Sequence, residues 1–307
     1  MVALLALLVA CPEDGKGPLE DAQHDAHDLA GPADTSPSKP PLLLDVDMGL
    51  DDARVILALP GQQTFEVKGI VTVEGSAGAA KGADNALRLL AAVGVDTIPV
   101  AVGADKAILG PISPPSWRSM AESLGELSLA APQRAVEPES GADFIAKVLQ
   151  DSPQPVRIVA IGPLTNLALV LDKDPSLAKQ IHSLYLLGDF QGCTSYNCST
   201  DLAAAKKVFA LKLPTVVVGS SATDKVPFDA AFLSSVQALG SPAGKLVAAM
   251  MANHSSGEMK LWDDSVLATA LDEQLVTLKK LDAATQEVVD IEVLKLHTLL
   301  LSLWGSS

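Results

Sequence analysis

Between Leu42 and Leu59 the chain reads LLLDVDMGLDDARVILAL, and no other stretch restricts the fold so tightly. Leu42, Leu43 and Leu44 open an apolar run that closes on Asp45, Val46 and Asp47, the pattern of a buried strand. Gly49 supplies a turn. From Asp51 the run Asp-Asp-Ala-Arg-Val-Ile-Leu-Ala-Leu predicts a helix, which Pro60 stops. Four carboxylates, Asp45, Asp47, Asp51 and Asp52, therefore gather where a strand ends and a helix begins, the place where open α/β sheets bind ligands. Such crowding raises the pKa of each carboxyl unless positive charge offsets it. A helix N-terminus relieves one or two of them. A hard cation with oxygen ligands, Ca2+ ahead of Mg2+, relieves the rest. Read locally, the same aspartates also serve as caps of an acidic turn.

Beyond this stretch the pattern alternates. Strands are predicted at residues 66–73, 98–103, 156–161, 183–187 and 215–218, and helices at 79–93 and 140–150, with a proline-rich loop at 109–117. Strands alternating with helices predict an α/β fold with a doubly wound, mostly parallel sheet flanked by helices. No boundary interrupts the chain after residue 41, so 41–307 is expected to be a single domain. The chain has 307 residues and no apolar run long enough to span a bilayer. Its net charge of −15 repels polyanions and argues against a nucleic-acid partner.

The first residues carry a separate signal. Met1 to Ala10 is apolar and ends Leu8-Val9-Ala10-Cys11, which resembles the lipobox of bacterial lipoprotein signal peptides. Residues 1–11 are accordingly expected to be a lipoprotein-type signal segment, with Cys11 as the lipid-bearing residue. Residues 12–40 hold seven acidic and two basic residues, no aromatic one, and Thr35 as the one β-branched side chain. They read as a disordered acidic spacer. The expectation is an exported bacterial protein, periplasmic or anchored as a lipoprotein, that meets the membrane only through its lipid. Cys193 and Cys198, with four residues between them in an exported chain, predict a local disulfide. A pair of free buried thiols is the alternative, and a Zn site lacks further ligands.

Three motifs carry a resemblance. D-V-D-M-G-L-D-D (residues 45–52) resembles the D-x-D-P-G-x-D-D signature of the inosine-uridine-preferring nucleoside hydrolases, with Met48 at the usual Pro. Residues 159–168, VAIGPLTNLA, are similar to that family's A-x-G-P-L-T-N-[LI]-A, and residues 261–270, LWDDSVLATA, to its x-[HW]-D-x-x-x-x-A. The resemblance implies a Rossmann-like core and Ca2+-dependent hydrolysis of the N-glycosidic bond of ribonucleosides or a related ribosyl compound. It assigns the cation to Asp47, Asp52, Asp263 and the backbone carbonyl of Ile161, and the general base to Asp51. Trp117, in Pro-Pro-Ser-Trp-Arg, and Trp262 are two of three tryptophans. They resemble the Trp-bearing, purine-preferring members, in which two indoles sandwich the base.

Two places depart from the family pattern. Ser76 stands where the family has an Asn or Asp that holds the ribose. In the segment Gly188 to Asp201, similar to G-N-…-E-[FW]-N-x-x-x-D, Asn197 and Asp201 align but Ser195 replaces the Glu. The expected substrate contacts are thus Trp117, Trp262, Asn197, Ser76 and Ser195, with a small-molecule nucleoside as partner; a homo-oligomer is compatible. Two rival readings follow. A non-catalytic Ca2+ and ribosyl-ligand binder is favoured by the two serines. A Mg2+-dependent phosphatase with Asp45 as nucleophile rests on the likeness of D-V-D-M-G to the haloacid-dehalogenase turn, and leaves Asp51 and Asp52 unexplained.

Overall fold

A computed structural model describes residues 39–306 apart from 190, 253 and 255–258. The expected signal segment, Cys11 and the spacer as far as residue 38 lie outside the described residues. Among the described residues eight strands form one sheet: β1 (Pro41–Val46), β2 (Glu66–Thr72), β3 (Val100–Val102), β4 (Val156–Ala160), β5 (Ile181–Leu187), β6 (Thr215–Val218), β7 (Val276–Lys280) and β8 (Thr285–Ile291). Their order is β3-β2-β1-β4-β5-β6-β8-β7. Every pairing is parallel except β7 with β8. The mostly parallel sheet is the expected one.

Chain order explains where a site must form. From β1 the strands run outward through β2 and β3 on one side, then restart at β4 on the other. Beyond the carboxyl ends of β1 and β4 lies a topological switch point, where neighbouring loops part and leave a crevice. β1 is buried along its whole length. Leu42, Leu44 and Val46 pack into the core on one face of the sheet and Leu43 into the core on the other. This two-sided burial is why the strand reads as an unbroken apolar run.

The turn after β1 is unusual. Met48 has φ 61° and is fully buried. Left-handed backbone is uncommon for a side chain other than glycine, and a proline ring cannot adopt it. A Pro at this position could not take the backbone that Met48 adopts. The helix that follows runs Leu50–Ala58, and Pro60 sits in a short 3-10 turn, Leu59–Gly61.

The β7–β8 hairpin has no counterpart in the sequence reading. β7 is an edge strand whose residues are half-buried or exposed, with Lys279 and Lys280 outward. Edge charges hide the apolar alternation that marks a strand. After β8 the helix Val293–Gly305 packs back on the core, and buried Trp304 donates its Nε1 proton to the Arg54 carbonyl (3.0 Å). Among the described residues no helix is long and apolar enough to cross a membrane.

Candidate active site

Three sequence-distant turns converge at the switch point. Asp47 directly follows the first strand, and Asp51 and Asp52 occupy the first turn of the Leu50–Ala58 helix. Asp263 comes from the first turn of a second helix, Trp262–Leu271. Carboxylate oxygens of Asp51, Asp52 and Asp263 lie within 4.8 Å of one another. Both helices aim the positive ends of their dipoles at this cluster.

Hydrogen bonds hold the first turn rigidly. Asp52 accepts from the backbone N–H of Asp47 (3.1 Å) and of Gly49 (2.8 Å), closing the loop on itself. Asp47 accepts from the N–H of Ser76 (2.9 Å). A Cβ on Gly75 would stand 2.2 Å from the Asp47 carboxylate, so only glycine lets that backbone approach.

Asp47, Asp52 and Asp263 are all buried. Burial pushes the Asp47 carboxyl up to about 6, against the Ser76 N–H, which favours its ionised form. Burial, and then the neighbouring carboxylates, push Asp52 and Asp263 well above the usual range. Oδ1 of Asp263 is buried and has no hydrogen-bond partner among the described residues. Crowded acidic oxygens, one of them orphaned, are the donor set a hard divalent cation requires. The residues present therefore fit such an ion.

Ile161 follows β4 on the other side of the crevice. Its carbonyl accepts from the Asn197 side-chain amide (2.7 Å), so Asn197, expected on the substrate, also steadies a carbonyl expected on the cation. A carbonyl has a second lone pair, and the two roles are compatible. Gly162 brings this turn against the first, where a Cβ would meet Asp47 at 3.0 Å.

These residues line one cavity of about 550 Å³. Asp47, Asp51, Asp52, Ile161 and Asp263 form one part of its lining, and Trp117, Trp262, Ser76, Ser195 and Asn197 also reach it. All ten expected side-chain and backbone contributors thus meet in a single space. Trp117 is 40 % exposed and packs edge-on against Tyr196, with ring centroids 5.0 Å apart. Its Nε1 donates to Ser76 Oγ (3.1 Å), which gives Ser76 an indole rather than a free face.

The segment after β5 is stapled. Cys193 and Cys198 form a disulfide with Cα atoms 5.1 Å apart. Asp189 accepts from Thr194 N and Oγ1 (2.7 and 3.0 Å) and from Ser195 N and Oγ (3.2 and 2.8 Å). Those four donors hold its carboxyl below the usual range against a burial effect that alone would raise it. Asp201 caps the next helix through Ala204 N (3.0 Å) and ties down Thr165 Oγ1 (2.7 Å) and Ile108 N (2.8 Å).

Asp189 and Tyr196 line the cavity and were missed from the sequence. The available signal was position: Gly188-Asp189 directly follows the carboxyl end of β5, on the ligand side of the sheet.

Asp45 belongs elsewhere. It is buried behind the cavity, where Asn166 donates to it (2.8 Å), and burial pushes its carboxyl up to about 7. It does not line the cavity, which removes the nucleophile the phosphatase reading needs.

Comparison with known proteins agrees with this geometry. Pyrimidine-specific ribonucleoside hydrolase RihA of Citrobacter koseri is 32% identical over 217 residues, covering 69% of this chain and 70% of the relative. RihA of Salmonella paratyphi A is 32% identical over 223 residues, with the same coverage. Among solved structures, the purine-preferring ribonucleoside hydrolase from Gardnerella vaginalis aligns with a TM-score of 0.76 at 23% identity, covering 86% of this chain and 98% of that one. The plant nucleoside hydrolase PpNRh1 aligns with a TM-score of 0.78 at 21% identity, covering 87% and 99%. These two likenesses concern the fold. A sequence model of the inosine-uridine preferring nucleoside hydrolases matches residues 42–298, a span that begins in β1 and takes in every carboxylate described above, and the chain belongs to that family.

Proposed function

We propose that this chain hydrolyses the N-glycosidic bond of ribonucleosides in a Ca2+-dependent reaction and prefers purine nucleosides. The observation that carries the reading is the convergence of Asp47, Asp51, Asp52 and Asp263 with two indoles around one cavity. Asp47, Asp52, Asp263 and the Ile161 carbonyl would hold the ion. Such an ion, when bound, supplies a hard charge that lowers the pKa of a water and accepts sugar hydroxyls.

The chain's own residues do the rest. Asp51, half-buried at the cavity, accepts the proton of the attacking water. Carboxylates on one face of the sugar stabilise the positive charge that builds at the anomeric carbon as the bond to the base lengthens. Trp117 and Trp262 present flat, electron-rich faces to a base that departs protonated, which favours the larger purine.

A specific finding favours a second substrate reading. The RihA relatives are named as pyrimidine-specific. Base release from inosine, guanosine, uridine and cytidine, each in Ca2+ and in EGTA, separates the readings. The expected result is faster release from the purine nucleosides, lost in EGTA. Faster release from uridine and cytidine overturns the purine preference, and EGTA-resistant release overturns the cation. Asp51→Asn is expected to lower kcat by about 10²–10⁴-fold with Ca2+ affinity kept.

The stapled loop supports reading the chain as an exported protein, since disulfides persist in oxidising compartments. Fractionation of producing cells tests this. Recovery with the cytoplasmic fraction overturns it.

A further inference from the structure

Behind the carboxylate cluster lies an ion pair that the chemistry does not use. Arg54 and Asp264 are both fully buried, and Arg54 Nη2 sits 2.6 Å from Asp264 Oδ2. Arg54 Nε also donates to both Asp264 oxygens (3.1 and 3.2 Å). Two further contacts come from the same guanidinium. Nη2 reaches the Lys260 carbonyl (2.9 Å) and Nη1 the Met251 sulfur (3.4 Å), while the guanidinium carbon lies 5.2 Å from the centre of the Phe228 ring.

Position gives this pair its meaning. Arg54 is two residues beyond Asp52 and one helical step from Asp51, in the Leu50–Ala58 helix. Asp264 adjoins Asp263 in the first turn of Trp262–Leu271, and Lys260 lies two residues before that helix. The pair is therefore a direct polar link between the two turns whose carboxylates must share one centre. Those turns carry like charges and repel each other. Replacing a buried ion pair by apolar groups is often neutral or stabilising, so fold stability alone is a weak reason to keep one.

We propose that Arg54 and Asp264 are positioning residues that clamp the two carboxylate-bearing helix turns at the separation a divalent cation needs. The proposal rests on the cation reading above and deepens it. Arg54 serves here through its planar fork, which fixes two directions at once as a lysine cannot. Partners one step behind metal ligands set affinity by orienting those ligands.

Calorimetric titration of the purified chain with CaCl2 is the test. Absence of Ca2+ binding by the wild type overturns the cation reading and this proposal together. Given wild-type binding, the double variant Arg54→Met/Asp264→Leu is expected to bind Ca2+ about tenfold or more weakly. Its thermal midpoint in EGTA is expected to stay unchanged or rise, which a purely structural role would not allow. Arg54→Lys keeps the charge and loses the fork; it is expected to give a smaller loss of affinity, and it carries the test should the double variant not fold. Wild-type Ca2+ affinity in these variants overturns the clamp. So does a fall in the EGTA midpoint of both that accompanies weaker binding.

Discussion

Ser76 illustrates how the structure adds contacts to a residue that the sequence marks. The family pattern implies a sugar contact at that position. In the fold its N–H is given to Asp47 and its Oγ receives the Trp117 indole, so Ser76 joins the carboxylate cluster to the aromatic wall. Ser76→Ala keeps the backbone bond and removes the indole's acceptor. One neutral hydrogen bond is worth about 1 kcal/mol, or roughly fivefold. KM for inosine is therefore expected to rise about fivefold, with Ca2+ affinity unchanged and the tryptophan emission shifted. An unaltered KM and emission would mean that the indole is held by Tyr196 packing alone. Met48 shows the opposite case. The sequence marks it as a departure from Pro, but only the backbone reveals the left-handed turn that makes Pro unsuitable there.

At the level of elements, the stapled segment between β5 and the helix Leu202–Ala210 carries Ser195 and Asn197 into the cavity. Closing so short a loop by a disulfide removes unfolded-state freedom worth roughly 2 kcal/mol in the chain-entropy account. Loop order matters here because Asn197 steadies the Ile161 carbonyl. Cys193→Ser/Cys198→Ser is expected to raise KM several-fold and lower the thermal midpoint modestly, while Asp189 still holds Thr194 and Ser195. Steady-state kinetics beside a melt would show it, and identical KM values would assign the bridge to durability alone. The inner strands were legible because burial on both faces writes an unbroken apolar run, as in Leu42–Leu44. β7 was not, since an edge strand bearing Lys279 and Lys280 lacks that run. Cys193 and Cys198 were legible from spacing, whereas the Asp189 contacts depend on how the loop folds back.

Across the whole molecule, the cluster sets a conflict that pH exposes. Asp51 and Asp52 lie over 200 positions from Asp263, and no periodicity brings them together; the motif resemblance alone suggested that they share a centre. Once assembled, Asp47 stands at about 6 and Asp45 at about 7, against 3.8 in an unperturbed side chain. Asp52 and Asp263 are raised as well. A folded state that holds protons the unfolded chain releases is favoured at low pH. Its advantage is full below about pH 4 and fades as pH climbs through the folded values near 6 and 7. The EGTA-treated protein is thus expected to lose thermal stability steadily from pH 4 to 7. Ca2+ should reverse most of that loss, and more so at higher pH, because the ion binds the ionised carboxylates. At a free concentration 100 times Kd it contributes about 2.7 kcal/mol, or roughly 5 °C or more of thermal midpoint for a chain of this size. Asp45 lies outside the cavity, so its share should persist with Ca2+ present and vanish in Asp45→Asn. Melts across this range with Ca2+ and with EGTA decide the matter. Parallel curves, with a Ca2+ increment that ignores pH, would mean that the buried carboxylates do not carry the ion.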